Sequence, residues 1–439
     1  MHIQQVQIKN FRCFEDLTVN LNPDVNIFVG NNGSGKSAVL DAIAAAIYPY
    51  LYEFQLVLDV NTSEKDNLKT LNLFQRDIRN GKKTEEPKNI VQLSIETIEA
   101  PKFTTTYFKK TTDNYNLNSP LHQKISSDIH DYIYQHGEHL TNYWDFPIFA
   151  YYRSHRTSLE ELDVQDNFNQ DFSPFDALKN SFDSVASFRD LVNWLFIREF
   201  QELREGKNRK DIDFEFPDLK QIRKAVSTII APNARVYFSQ TDSTKLMVEW
   251  ETETGEMIEL SLNQLSSGNR NMLALVMDFA RRLAQANPQM ENPLEAEAVL
   301  MIDELDLHLH PTWQQKIIPD LRKVFPNTQI IATTHSPEIV TTVERHQVKI
   351  LEDYQIKECP SPTRGMKSSD VVRYVLGLDN LRPDTEESRT LTALFEAIDN
   401  SDLEEAKRLR DKLQHWKSFD PDITRADMQI RRLEREMTA

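Results

Sequence analysis

The 439-residue chain is 39% hydrophobic and 27% charged, the composition of a globular protein with room for one large core or two to three domains. Its formal net charge of −17 argues against broad, sequence-independent coating of nucleic acid, so any such contact needs a local basic patch. The most apolar stretch, Ala42 to Val60, holds Pro49 and Glu53 and makes a poor membrane span; the N-terminus has no secretory pattern, and two distant cysteines, Cys13 and Cys359, fit unpaired thiols in a reducing cytoplasm.

In chain order, His2 to Val29 predicts short strands around a turn at Pro23-Asp24. The apolar run Val25-Asn26-Ile27-Phe28-Val29 leads into Gly30-Asn31-Asn32-Gly33-Ser34-Gly35-Lys36-Ser37, and a helical pattern opens at Ser37-Ala38-Val39-Leu40. This G-x-x-x-x-G-K-S pattern between strand and helix is the phosphate-binding P-loop. Main-chain N–H groups from Asn31 through Gly33, Ser34 and Gly35 to the helix start form an anion cradle. Lys36 is placed to reach the β- and γ-phosphates and the Ser37 hydroxyl to ligate Mg²⁺. The chain is therefore expected to bind a nucleoside triphosphate.

From about residue 50 to 145 the chain is polar and irregular, and Asn61 to Pro87 predicts a loop-rich or helical excursion. Strands are expected at Asn89–Thr97, Phe103–Phe108 and, fully buried, Phe146–Tyr152, the last ending in Arg153-Ser154-His155-Arg156. Residues 171–231 carry helical periodicity, clearest in Phe188, Leu191, Val192, Leu195 and Phe196. Val236–Phe238 and Leu246–Trp250 follow as strands, with a hairpin turn at Gly255. Two basic clusters, Arg76, Arg79, Lys82, Lys83 and Lys88, and Arg204, Lys207, Arg209 and Lys210, are candidate nucleic-acid contacts or solvated loop charges. No internal repeat, low-complexity tract or sustained heptad is present.

Three later segments supply the rest of a nucleotide site. Leu262-Asn263-Gln264-Leu265-Ser266-Ser267-Gly268-Asn269-Arg270 precedes an apolar helix from Met272 to Leu283; alone, it is a second anion cradle or a plain N-cap. Ala298-Val299-Leu300-Met301-Ile302-Asp303-Glu304 is a buried strand ending in two acids. Asp303 is expected to hold Mg²⁺, and Glu304 to orient or deprotonate the attacking water. Thr328 to Pro337 is a strand ending at Thr334-His335-Ser336, with His335 able to contact the γ-phosphate.

In this order the segments resemble the ABC-type ATPase heads of the RecF/SMC group. The opening Ile8-Lys9-Asn10-Phe11-Arg12-Cys13-Phe14 is similar to that group's Asn-Phe-Arg-x-Phe start, which implies that Arg12 lies near the nucleotide. The resemblance further implies a D-loop at Asp306, a switch histidine at His335, and Ser266 and Gly268 meeting ATP from the opposite subunit, so that two heads sandwich two nucleotides. Two departures stand out. The signature is Leu-Ser-Ser-Gly-Asn where the family has Leu-Ser-Gly-Gly-Gln, and no glutamine follows the strand ending at Tyr152-Arg153; Gln75 is the remaining choice for that loop.

The implied fold is an α/β ABC-type (RecF/SMC-like) P-loop ATPase head with a helical insertion and a helical C-terminal extension. Its expected division is 1–155 with the P-loop and an irregular insert, 156–235 helical, 236–350 with signature, acids and switch histidine, and 351–439 a polar helical hairpin. The roughly 225 residues between P-loop and signature are too few for an SMC arm and about twice the spacing in ABC transporter subunits. An OLD-type nuclease would need a Toprim domain after His335, and the tail has no such pattern. That tail, with Arg382-Pro383-Asp384-Thr385-Glu386 before its helices, is similar to the PtuA-like ATPases of Septu and retron-associated anti-phage defence. This implies a homodimer or higher oligomer joined through ATP, a separate HNH-type nuclease as partner, and nucleic acid met through the complex. The alternatives are a RecF-like DNA-binding repair ATPase and a nucleotide-sensing scaffold with negligible turnover.

Overall fold

The computed structural model describes residues 2–57, 91–98, 104–109, 127, 148–154, 172–239, 245–252, 254–378, 381–416 and 420–438. The chain divides into two units, Met1–Val371 and Val372–Ala439. In the first, β1 (His2–Phe11) and β2 (Phe14–Asn20) form an antiparallel hairpin in which Phe11 pairs with Phe14 across Arg12-Cys13. Val6 and Ile8 are fully buried while their neighbours are not, the alternation of a half-buried strand. β3 (Val25–Val29) is buried at every position, and Asn26 meets this by exchanging hydrogen bonds with the main chain of Asn22.

α1 (Lys36–Val57) follows the P-loop. It lies between two sheets, touching β1, β4 (Val91–Ile98) and β5 (Thr104–Lys109) on one side and β11 (Thr328–Thr333) on the other. That sandwich explains why Val39, Leu40, Ala42, Ile43 and Ala46 are all buried, an apolar helix all round rather than on one stripe. β6 (Ile148–Tyr152) and β10 (Ala298–Ile302) are likewise buried throughout. The four-stranded antiparallel sheet has the order β2-β1-β4-β5. The six-stranded central sheet runs β13-β12-β3-β11-β10-β6, all parallel except β13. Continuous apolar runs suit parallel strands covered on both faces.

The helical insertion consists of α2 (Ser184–Arg209) and α3 (Pro217–Ile229), followed by a three-stranded antiparallel sheet of β7 (Arg235–Phe238), β8 (Leu246–Glu251) and β9 (Met257–Ser261). α4 (Ser267–Ala286) packs on both helices and starts earlier than the apolar pattern suggests, because Ser266 caps it. After α5 (Ile317–Val324) and β11, the stretch beyond residue 350 does not turn helical at once. β12 (Val348–Glu352) and β13 (Gln355–Glu358) first complete the central sheet through a two-residue turn, Asp353-Tyr354, both at positive φ.

The second unit is a bundle of α6 (Glu386–Asp399), α7 (Leu403–Lys412) and α8 (Pro421–Thr438), closed over Leu394, Ile398, Leu409, Leu413 and Ile423. Thr385 and Asp402 cap α6 and α7, and Arg382 grips Asp420 with two nitrogens at 2.8 and 2.9 Å. Among the described residues no helix is long and apolar enough to cross a membrane, and Cys13 and Cys359 are both free thiols.

Candidate functional site

The P-loop leaves β3 through Gly30, where a Cβ would stand 2.3 Å from the main-chain oxygen of Leu351, so only glycine fits. Gly35 is equally constrained: its φ is +102°, and a Cβ would meet the Phe14 ring at 2.6 Å and Cys13 Sγ at 2.8 Å. Asn31, Asn32 and Gly33 are exposed on the rim, and Ser34, Gly35 and Ser37 are half-buried. Lys36 is 7% exposed and its Nζ donates to the carbonyls of Gly30 at 2.9 Å and Asn31 at 3.0 Å. Burial pulls the Lys36 ammonium down, against the opposing charges of Asp303, Glu304 and Asp306.

The acids arrive on the neighbouring strand. Asp303 is 4% exposed, and its Oδ1 accepts from Ser37 Oγ at 2.9 Å and Thr333 Oγ1 at 2.7 Å. Glu304 turns the chain with φ 51°, its main-chain N–H held by Thr333 Oγ1 at 2.7 Å. Asp306 Oδ1 accepts from Thr334 Oγ1 at 2.5 Å and from the main-chain N–H of His335 at 3.1 Å, while the His335 side chain is exposed. The parallel order β3-β11-β10 thus brings Lys36, Ser37, Asp303, Glu304, Asp306 and His335 to one carboxyl edge, the position where open α/β sheets bind ligands.

The residues fit a nucleotide with its metal. Ser34 Oγ is buried with no hydrogen-bond partner, an orphan inside the phosphate cradle. Ser37 and Asp303 offer hard oxygen donors side by side, and among the described residues no cluster of three acids, histidines or cysteines forms a ready cage. That matches Mg²⁺, which takes one or two protein oxygens and fills its shell with phosphate and water.

At the signature, Ser266 Oγ caps α4 by accepting from the Asn269 N–H at 3.3 Å, and Ser266 and Ser267 are exposed. Gly268 is buried, and a Cβ there would lie 2.3 Å from the carbonyl oxygen of His308 in the same chain. The glycine is therefore required by the loop after Asp306 whatever it meets in a second subunit. Arg12 is drawn aside: its Nη1 donates to Asp41 Oδ2 at 2.6 Å, while its neighbours Cys13 and Phe14 are the ones placed against the P-loop at Gly35.

Asp41, Arg153, Thr333 and Thr334 were not singled out by the motifs. Asp41 stands one turn after Ser37, a spacing that could have marked it, whereas the two threonines gain meaning only from the strand order. Arg153 follows β6 where a glutamine was sought; Gln75 and the basic cluster from Arg76 to Lys88 lie outside the described residues. The second cluster is balanced in sign: Arg209 pairs with Glu205 at 2.7 Å, and Asp211, Asp213 and Glu215 follow.

A family model described as "AAA domain, putative AbiEii toxin, Type IV TA system" matches residues 25–341. The Retron Vc95 probable ATPase of Vibrio cholerae serotype O1 biovar El Tor is 27% identical over 479 aligned positions, covering 95% of this chain and 88% of the relative. The Retron Ec83 probable ATPase of Escherichia coli is 26% identical over 98% of this chain and 86% of its own length. Septu protein PtuA of Bacillus thuringiensis is 29% identical over 34% of this chain and 39% of that protein. These relatives bear out the resemblance to the ATPases of retron and Septu systems, and the fold is the α/β P-loop ATPase head with helical insertion and helical extension that the motifs implied.

Proposed function

The chain belongs to this AAA-domain family, and from that premise we propose that it is an ATP-binding and hydrolysing subunit of an anti-phage defence system whose nucleotide state controls a separate effector nuclease. The observation that carries the reading is the 2.9 Å hydrogen bond from Ser37 to Asp303, which joins the end of the P-loop to the end of β10 with Lys36 beside them.

In this reading the N–H groups from Asn31 to Ser37 receive the phosphates and Lys36 neutralises their charge. Ser37 and Asp303 hold Mg²⁺, which when bound shields charge at the scissile phosphoryl group. Glu304, half-buried beyond the strand, accepts the proton of the attacking water. His335, anchored through Asp306, faces solvent where it can sense the terminal phosphate. Ser266 and Gly268 complete the site of a second copy, so ATP joins two heads and hydrolysis lets them part. The partner is an HNH-type nuclease held by the dimer or a higher oligomer in the cytoplasm, with nucleic acid met through the complex.

The test compares phosphate release and mass for the wild type and Glu304→Gln. The variant should lose turnover and shift to a larger mass in ATP but not in ADP. Equal masses in both nucleotides would contradict the sandwich, and equal silence of both proteins would refute the enzyme assignment. Tight, steeply salt-dependent binding of duplex DNA by the chain alone would favour the RecF-like repair alternative.

A further inference from the structure

Asp41 lies one helical turn beyond Ser37 on α1, so the two side chains share a face about 6 Å apart along the axis. Three groups converge on its carboxylate. Arg12 Nη1 donates to Oδ2 at 2.6 Å, Tyr151 Oη donates to Oδ1 at 3.1 Å, and Arg153 Nη2 stands 3.3 Å from Oδ1. Burial, followed by the Asp41 charge, pushes the Tyr151 phenol well up, so it stays protonated as a donor. Asp41 is thus matched at short range by Arg12. Arg153 holds the longest of the three contacts, and its Nε is buried with no hydrogen-bond partner. Arg12 and Arg153 thus share one carboxylate, with Arg12 the closer of the two.

The charge sits at a particular place. β6 pairs with β10 so that Tyr152 faces Ile302, and the Asp303 N–H donates to the Tyr152 carbonyl at 2.9 Å. Arg153 therefore leaves the sheet at the same carboxyl edge as Asp303 and Glu304, with β11 and β10 between its strand and β3. Its side chain is 38% exposed, and its guanidinium lies 5.3 Å over the Tyr151 ring, which limits how it can turn.

We infer that Arg153 is a further triphosphate-binding residue, supplying the charge that meets the terminal phosphoryl group, with Asp41 and Tyr151 as its positioning partners. A planar guanidinium suits paired phosphoryl oxygens, and one whose buried Nε still lacks an acceptor has a contact to gain from them. The inference rests on the nucleotide reading above and specifies which nucleotide the site prefers.

The test is titration calorimetry with MgATP and MgADP on full-length Glu304→Gln protein, alone and combined with Arg153→Gln, Arg153→Lys or Asp41→Asn. Arg153→Gln should weaken MgATP about tenfold or more and MgADP less than about twofold, since one charge-assisted contact to the last phosphate is lost. Arg153→Lys should retain part of the preference, and it carries the test should the glutamine variant not fold. Asp41→Asn, which loosens the hold on the guanidinium but leaves its charge, should lower the ATP-to-ADP ratio by less than Arg153→Gln does. Equal weakening of both nucleotides by the Arg153 variants would overturn the inference, as would Asp41→Asn erasing the ratio as Arg153→Gln does. Either result would make Arg153 a brace between β6 and α1. Failure of the parent protein to bind MgATP would instead refute the nucleotide site itself, and this inference with it.

Discussion

Replacing Asp278 by asparagine removes the only carboxylate that contacts two buried arginines on α4, among the described residues. Asp278 is fully buried; its Oδ1 accepts from Arg281 Nη2 at 2.7 Å and Nε at 3.1 Å, and its Oδ2 from Arg282 Nε at 3.0 Å, Tyr152 Oη at 2.7 Å and the Ser187 hydroxyl. Arg281 and Arg282 are themselves 3% and 1% exposed. Burial alone pushes the carboxyl up, but Arg282 and then Arg281 outweigh it and hold Asp278 at about 2. Asparagine keeps the shape and leaves two buried guanidiniums without the carboxylate they contact, at a cost of about 3–5 kcal/mol. With about 2.1 cal/mol/K per residue of unfolding entropy over Met1–Val371, or about 0.8 kcal/mol/K, the thermal midpoint should fall by about 4–6 °C. Scanning calorimetry at pH 7 measures it. The pH dependence has a definite sign: the folded carboxyl lies below its unfolded value of about 3.9, so its stabilisation is complete above about pH 4 and drains away toward pH 2. The variant, lacking the group, should show a flatter acid limb in that window. A midpoint within about 1 °C of wild type at neutral pH, with an unchanged acid limb, would refute the reasoning.

Gly268→Ala should cost about 1–3 kcal/mol in the protein without added nucleotide, because the new methyl meets a main-chain oxygen at 2.3 Å rather than a side chain that can swing away. An unchanged urea midpoint would show that the loop holding His308 yields freely. Leu394→Ala, at a fully buried position of the three-helix bundle, should cost about 2–5 kcal/mol and raise hydrogen exchange along α6, α7 and α8. Exchange in those helices equal to wild type would mean that Leu394 is not part of one cooperative core.

What the sequence disclosed follows from how local each signal is. β3, β10 and β11 are buried on both faces, so they appear as unbroken apolar runs, and the motifs at their ends are contiguous in the chain. The β12–β13 hairpin stayed hidden because its turn, Asp353-Tyr354, adopts positive φ without the Asn-Gly signal that normally advertises it. Asp278 could not be told from a surface charge on a helix, since Tyr152 and Ser187 reach it from 126 and 91 residues away. Gly268 invited a reading of phosphate contact, yet what forbids a side chain there is His308, forty residues later in the same chain. The triple convergence on Asp41 is of the same kind: Arg12 comes from the β1–β2 turn, Tyr151 and Arg153 from the end of β6, and nothing in their local sequence announces a shared partner.

The contact between Gly30 and Leu351 sets a limit on dissection. Leu351 follows every nucleotide motif in the chain, yet its carbonyl oxygen is the backstop of the loop's first residue, and its strand covers the flank of β3. An excised piece that stops at the switch histidine would carry all the motifs and still lack the wall they lean on. A fragment that keeps this wall includes β12 and its partner β13, so the hairpin belongs with the ATPase lobe rather than with the helices that come after it.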